Sequence, residues 1–163
     1  MTQILGHDTQ AAALQFALKG GRLHHAWLLH GPRGIGKATL AHRFAARLLA
    51  EASANPPTSA GLDLDQEHPT ARLIAAGSHP DFAVLERLEN EKTGSTARSI
   101  TVDQVRAMKT RFIGTPSQGD RRVIVIDAVD DMERGASNAL LKSLEEPPAS
   151  TIFLLVSHAP GQL

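Results

Sequence analysis

The sequence contains no cysteine, which excludes a disulfide framework, a thiol nucleophile and any cysteine-ligated zinc site, and which fits a reducing compartment. It has no excess of charge either. Lys and Arg number 17 against 17 Asp and Glu, so no global field draws the chain onto nucleic acid or an anionic membrane, and any such contact has to be local or shared with partners. No apolar run approaches the ~18 residues of a membrane span, and neither a basic amphipathic leader nor a signal-peptide core is visible. The expected compartment is the cytoplasm. What is present, 163 residues, suffices for one domain with one core, which at this size buries roughly 70% of its unfolded surface.

Short apolar runs alternate with helical periodicities. Ala11, Leu14, Phe16 and Leu18, between Asp8 as N-cap and Gly20-Gly21 as stop, predict a first helix. Residues 26–30 read as a buried parallel strand ending in a glycine-rich turn. Leu40, Phe44 and Leu48 then mark the apolar face of a helix that turns His42, Arg43 and Arg47 away from the core. Across residues 51–80 the composition shifts to Ala, Ser, Pro, Asp and Gly, predicting a flexible, partly ordered insertion with a helical turn or two at 71–76. Residues 82–85, 123–126 and 152–156 read as further strands, 90–98 as a polar loop, and 135–144 as a helix stopped before Pro147-Pro148. Thr101-Val102-Asp103-Gln104 has the spacing of a capping box, and Ile100 with Val105 that of a hydrophobic staple. The helix so opened buries Val102, Val105, Met108 and Phe112. This alternation predicts an α/β domain over residues 1–163, a parallel sheet sandwiched by helices. Because the chain stops just past a central apolar strand, a fragment of something longer is expected.

Gly31-Pro32-Arg33-Gly34-Ile35-Gly36-Lys37 follows a strand and opens a helix, the context that separates a phosphate-binding P-loop from a chance match. The glycines let backbone N–H groups turn inward around a phosphate, the helix N-terminus adds positive potential, and Lys37 supplies a mobile charge. The alternative is a tight strand-to-helix turn that holds nothing. P-loop enzymes place a Ser or Thr hydroxyl next, as a magnesium ligand, and here that residue is Ala38. Thr39 is displaced from it by about 100° around the helix and cannot simply take over, although it could reach an inner phosphate.

Val123-Ile124-Val125-Ile126-Asp127 is an apolar strand ending in an acid, the position from which such enzymes orient magnesium. Satisfaction of Asp127 by loop amides is the structural alternative. In the hydrolytic pattern a Glu follows and polarises the attacking water, whereas this chain has Ala128. Asp130 and Asp131 are the nearby acids that could stand in as base. Loss of positioned electrostatic groups commonly costs about 10²-fold each, so weak or absent hydrolysis is expected, with no residue assigned as catalytic. His24, His25 and His30 lack metal-ligand spacing and read as surface or loop residues, Arg121-Arg122 as a solvated edge, and Trp27 as core.

The phosphate loop, the strand ending in Asp127 and above all Ser137-Asn138-Ala139-Leu140-Leu141-Lys142-Ser143-Leu144-Glu145-Glu146-Pro147-Pro148 resemble the AAA+ subunits of bacterial sliding-clamp loaders. Within that family, Gly77-Ser78-His79-Pro80-Asp81-Phe82, Ile4-Leu5-Gly6-His7 and His24-His25-Ala26 are similar to the delta-prime branch of the DNA polymerase III loader. The resemblance spans essentially the whole chain. It implies the N-terminal AAA+ module of a largely non-hydrolysing stator, working with gamma/tau and delta subunits in a hetero-pentamer that places the sliding clamp on primed DNA during replication. It implies a degenerate nucleotide site at Gly31, Pro32, Arg33, Gly34, Ile35, Gly36, Lys37, Ala38 and Thr39, with Asp127 in the acidic-strand position. Ser157, or alternatively His158, falls in the sensor position, where a strand-end Ser otherwise caps a loop. The family's lid, collar and Ser-Arg-Cys arginine-finger motif would follow Leu163. Relatives carry a four-cysteine zinc module in the region of residues 51–80, and with no cysteine here no zinc is expected. The implied cofactor requirement is nil, with weak ATP, ADP, phosphate or sulfate in the loop as the expected ligands. A working gamma/tau-like ATPase, with metal held by Thr39, Asp127 and water, is the competing reading. A P-loop phosphotransferase is a third, which the string ending in Pro147-Pro148 and the lack of an evident acceptor site disfavour.

Overall fold

A computed structural model describes residues 25–31, 36–58, 61–112 and 121–158. Four strands, β1 (Ala26–His30), β2 (Phe82–Glu86), β3 (Arg122–Asp127) and β4 (Thr151–Ser157), form one sheet. Their order is β1-β4-β3-β2, and every pairing is parallel. Four helices accompany them: α1 (Lys37–Glu51), α2 (Pro69–Ala75), α3 (Val102–Arg111) and α4 (Arg134–Glu145), with a 3₁₀ turn at Val129–Asp131. The first helix expected at 11–18 lies outside the described residues.

The two central strands explain why their sequences read as unbroken apolar runs. Successive side chains of a strand point to opposite faces, and here both faces are covered. Val123 and Val125 of β3 and Leu154 and Val156 of β4 join Leu40, Phe44 and Leu48 of α1 in one core. Ile124, Ile126, Phe153 and Leu155 join Val105 and Met108 of α3 and Ala136 and Leu140 of α4 in the other. Trp27 is partly buried and meets Phe44 edge-on, with ring centroids 6.2 Å apart.

The start of α3 follows its sequence pattern. Thr101 accepts from the Gln104 amide at 3.3 Å while the Gln104 side chain accepts from the Thr101 amide at 2.9 Å. Ile100 and Val105 are both wholly buried, as a staple requires, while Val102 is only partly so.

Two expectations about charged residues fail. Arg47, placed on the solvent side of α1 by helical periodicity, is buried because residues 61–64 cross over it: Arg47 donates to the Asp63 carbonyl at 2.8 Å and to Glu51 at 2.8 Å. Leu62 and Leu64 of the same segment are buried. Arg122, read as part of a solvated edge, is also buried. Its guanidinium lies 5.2 Å from the Phe112 ring centroid and donates to the Phe112 carbonyl at 2.7 Å. Within the compositionally distinct stretch, α2 starts on Pro69 and is capped by His68, whose Nδ1 accepts from the Thr70 amide at 3.1 Å and whose Nε2 donates to the Asn55 carbonyl at 2.6 Å.

Candidate phosphate-loop site

The C-terminal ends of β1, β4 and β3 lie side by side. His30 stands opposite Ser157 and Asp127 opposite Val156, and the Gly31 amide donates to the Ser157 carbonyl at 3.2 Å. The loop that leaves β1 therefore starts against the end of β4, in the crevice where open parallel sheets bind ligands.

Gly31 and Gly36 have φ of 149° and 82°, backbone that a side chain would strain. Between them, Pro32, Arg33, Gly34 and Ile35 lie outside the described residues. Gly36 is the N-cap of α1, which has no side-chain cap and no acid in its first turn, leaving the helix positive end unscreened by its own residues. Lys37 is only 3% exposed, and its ammonium donates to the Gly31 carbonyl. The cation is thus drawn back over the start of its own loop.

Ala38 and Thr39 are partly buried in the first turn of α1. His42 donates from Nδ1 to the Ala38 carbonyl at 2.8 Å. Nothing about Ala38 other than its carbonyl oxygen offers a metal ligand.

Asp127 ends β3 partly exposed. Ala128 is fully buried within the core that α1 shares with the sheet. A glutamate in its place would enter apolar packing or displace the strand end, and the methyl of Ala128 offers no group that could activate water. The two neighbouring acids are otherwise engaged. Asp131 pairs with Arg87 at 3.5 Å, and its carbonyl accepts from the Ile100 amide at 2.7 Å. Asp130 accepts from Ser157 Oγ at 2.8 Å and from the His158 amide at 2.5 Å. These two contacts join residues 27 and 28 apart, and no local pattern announces them.

The histidines near the loop do not converge. His25 is exposed and donates from Nε2 to the Leu144 carbonyl at 3.1 Å, His30 is exposed, and His24 lies outside the described residues. No group of three or more potential metal ligands occurs among the described residues, and none of their helices is long and apolar enough to cross a membrane.

The structure thus brings Gly31, Gly36, Lys37 and Ser157 together around one strand-to-helix turn, with Asp127 a strand away. Comparisons with known proteins show the family. The delta-prime subunit of DNA polymerase III from Pseudomonas aeruginosa is 44% identical over 88% of this chain and 41% of its own length. The gamma subunit from a Buchnera aphidicola strain is 32% identical over 95% of the chain and 39% of its own. The chain therefore spans about two-fifths of the length of these relatives. Among solved structures, a gamma subunit-related protein from Thermotoga maritima superposes with a TM-score of 0.55 at 17% identity, over 91% of this chain and 39% of that one, which supports the fold. The family model described as DNA polymerase III, delta subunit, matches residues 6–163, and the chain belongs to that family.

Proposed function

We propose that this chain is the P-loop module of a delta-prime-type clamp-loader subunit that binds partners and does not hydrolyse ATP. The observation that carries this reading is Ala128, wholly buried where a hydrolytic subunit needs a glutamate beside Asp127. Ala38 supports it from the other side of the site, since a methyl cannot hold magnesium. Identity of 44% to a delta-prime subunit, against 32% to a gamma subunit, points in the same direction.

In this role the module works with gamma/tau and delta subunits in a cytoplasmic hetero-pentamer, and reaches the sliding clamp and primed DNA through that assembly. The balanced charge of the chain suits contact with nucleic acid that is shared among subunits. The module needs no cofactor. Its loop amides and Lys37 would hold ATP, ADP or a phosphate weakly, and no zinc is involved.

Calorimetric titration with ATP and ADP, with and without Mg²⁺, followed by phosphate release on the same samples, tests the reading. Weak or magnesium-independent binding without release is the expected result. Tight magnesium-dependent binding with release above background would return the gamma/tau-like ATPase to first place. Reconstitution with gamma/tau and delta subunits tests the assembly.

A further inference from the structure

Helices α3 and α4 touch at one end and part at the other. Their N-termini are drawn together: the Val102 amide donates to Glu133 Oε1 at 2.7 Å, the Glu133 amide donates to the Ile100 carbonyl at 3.0 Å, and a methyl group on Gly135 would stand only 3.5 Å from Val102 Cβ. Toward their C-termini a cavity of about 400 Å³ opens between them. Met108 and Phe112 from α3 and its cap, with Phe153 of β4, are buried and supply its apolar wall. Ser143, on the α4 side, is too small to close the gap and turns its hydroxyl back to the Ala139 carbonyl at 3.3 Å. Protein interiors leave few voids larger than a water molecule. This one falls within the range of ligand pockets, roughly 300–1,000 Å³.

The charge around this cavity is less even than that of the chain as a whole. Lys109 and Lys142 line it from the two helices, and neither ammonium is paired among the described residues. Glu146 is the one acid on the lining and forms an ion pair with neither. Behind the apolar wall, Arg111 and Arg122 hold their guanidiniums 5.1 and 5.2 Å from the centroid of the Phe112 ring. Helix C-termini carry negative potential of their own, but here two of the end carbonyls have donors: Arg122 serves that of Phe112 at 2.7 Å and His25 that of Leu144 at 3.1 Å. We propose that this wedge is a docking site for an acidic peptide segment of a partner protein. The segment seats one large apolar side chain against Phe112 and Phe153 and sets its carboxylates against Lys109 and Lys142. An apolar anchor in a pocket carries most of the energy of such contacts, while the flanking charges steer the encounter and select the partner. A basic segment would bring like charge to both lysines. The proposal stands apart from the reading of the phosphate loop.

The test is a selection of short random peptides, displayed on phage, against the immobilised chain, with the enriched sequences then synthesised and titrated calorimetrically. They should share one large apolar residue flanked by acids. Lys109→Glu combined with Lys142→Glu should weaken them about tenfold or more, and Glu146→Lys should tighten them. Ser143→Leu, which fills the cavity, should abolish binding. Melting curves without peptide show whether each variant is folded. Should Ser143→Leu fail to fold, the lysine and Glu146 changes decide, because they leave the buried wall untouched. Failure to enrich any peptide overturns the proposal, as do enriched peptides that are basic or lack acids and affinities that the lysine reversals leave unchanged. Self-association of the unaltered chain that Ser143→Leu abolishes would overturn it too, by making a second copy the occupant.

Discussion

Both ends of the parallel sheet bury polar groups, and they use them differently. At the N-terminal end, His79, Asp81 and Arg122 are each under 5% exposed, and their bonds close the fold on itself. The Asp81 carbonyl accepts from the Val123 amide at 2.9 Å, Arg111 donates to the His79 and Phe82 carbonyls at 3.0 and 3.1 Å, and Arg122 to that of Phe112. At the C-terminal end, Lys37, Ser157 and Asp130 gather around a glycine turn that leads into an uncapped helix. The first set joins strands and helices into one body; the second gathers donors of a kind that phosphates use around one turn. The string His79-Pro80-Asp81-Phe82, one of those that carry the family resemblance, belongs to the first set. A residue pattern can therefore mark kinship through packing alone, far from any chemistry.

The contrast breaks most sharply at Ala128, where the apolar middle of the sheet gives way to its polar rim. Ala128→Glu should cost about 4 kcal/mol or more, since it places an unpaired carboxylate in a packed core. Urea unfolding of the variant and the unaltered chain measures this through the transition midpoints. A variant of unchanged stability would mean that the rim extends one residue deeper than the packing implies.

At the opposite end, Arg122→Ala should cost about 2–3 kcal/mol, because it empties the space over the Phe112 ring and leaves a buried carbonyl without its donor. Arg122→Met, which refills the volume and removes the charge, should cost less than the alanine change. The same unfolding midpoints decide the ranking. If the two cost the same, refilling the volume recovers nothing, and the charge and its hydrogen bond contribute more at this end than packing does.

Legibility in the sequence followed the same division. The strands, α3 with its capping box, and the stop of α4 before Pro147-Pro148 depend on neighbours within a few residues, and their patterns were readable. The strand-to-helix turn was readable too, because Gly31, Gly36, Lys37 and Ala38 lie close together in the chain. Arg47 and Arg122 misled because segments distant in sequence cover them: residues 61–64 in one case, Phe112 in the other. Asp130 was legible only as an acid that could stand in as base, since its partners lie 27 and 28 residues away, at the end of another strand. Helical and strand periods report which face is apolar; they carry no information about which far segment arrives to cover or pair a polar group.

The smallest expected effect concerns pH at the closing end. His79 is 4% exposed, and its Nδ1 accepts from the Asp81 amide at 3.0 Å, a bond that only the neutral ring makes. Burial lowers its pKa below 6.5; Asp81 acts in the opposite direction, and Arg111 lowers it further. The unfolded chain therefore binds the proton first as the pH falls, so this residue's contribution to stability is complete above about 6.5 and is lost below it, toward the depressed folded value. One proton limits the slope to about 1.4 kcal/mol per pH unit. His79→Asn keeps an acceptor for the Asp81 amide and has nothing to titrate. Unfolding free energies measured from pH 7.5 to 5 should converge for the two proteins as the medium becomes acidic, with the histidine chain losing the more. Parallel pH profiles would show that the ring is protonated without cost, and that this end of the sheet is wetter than its contacts imply.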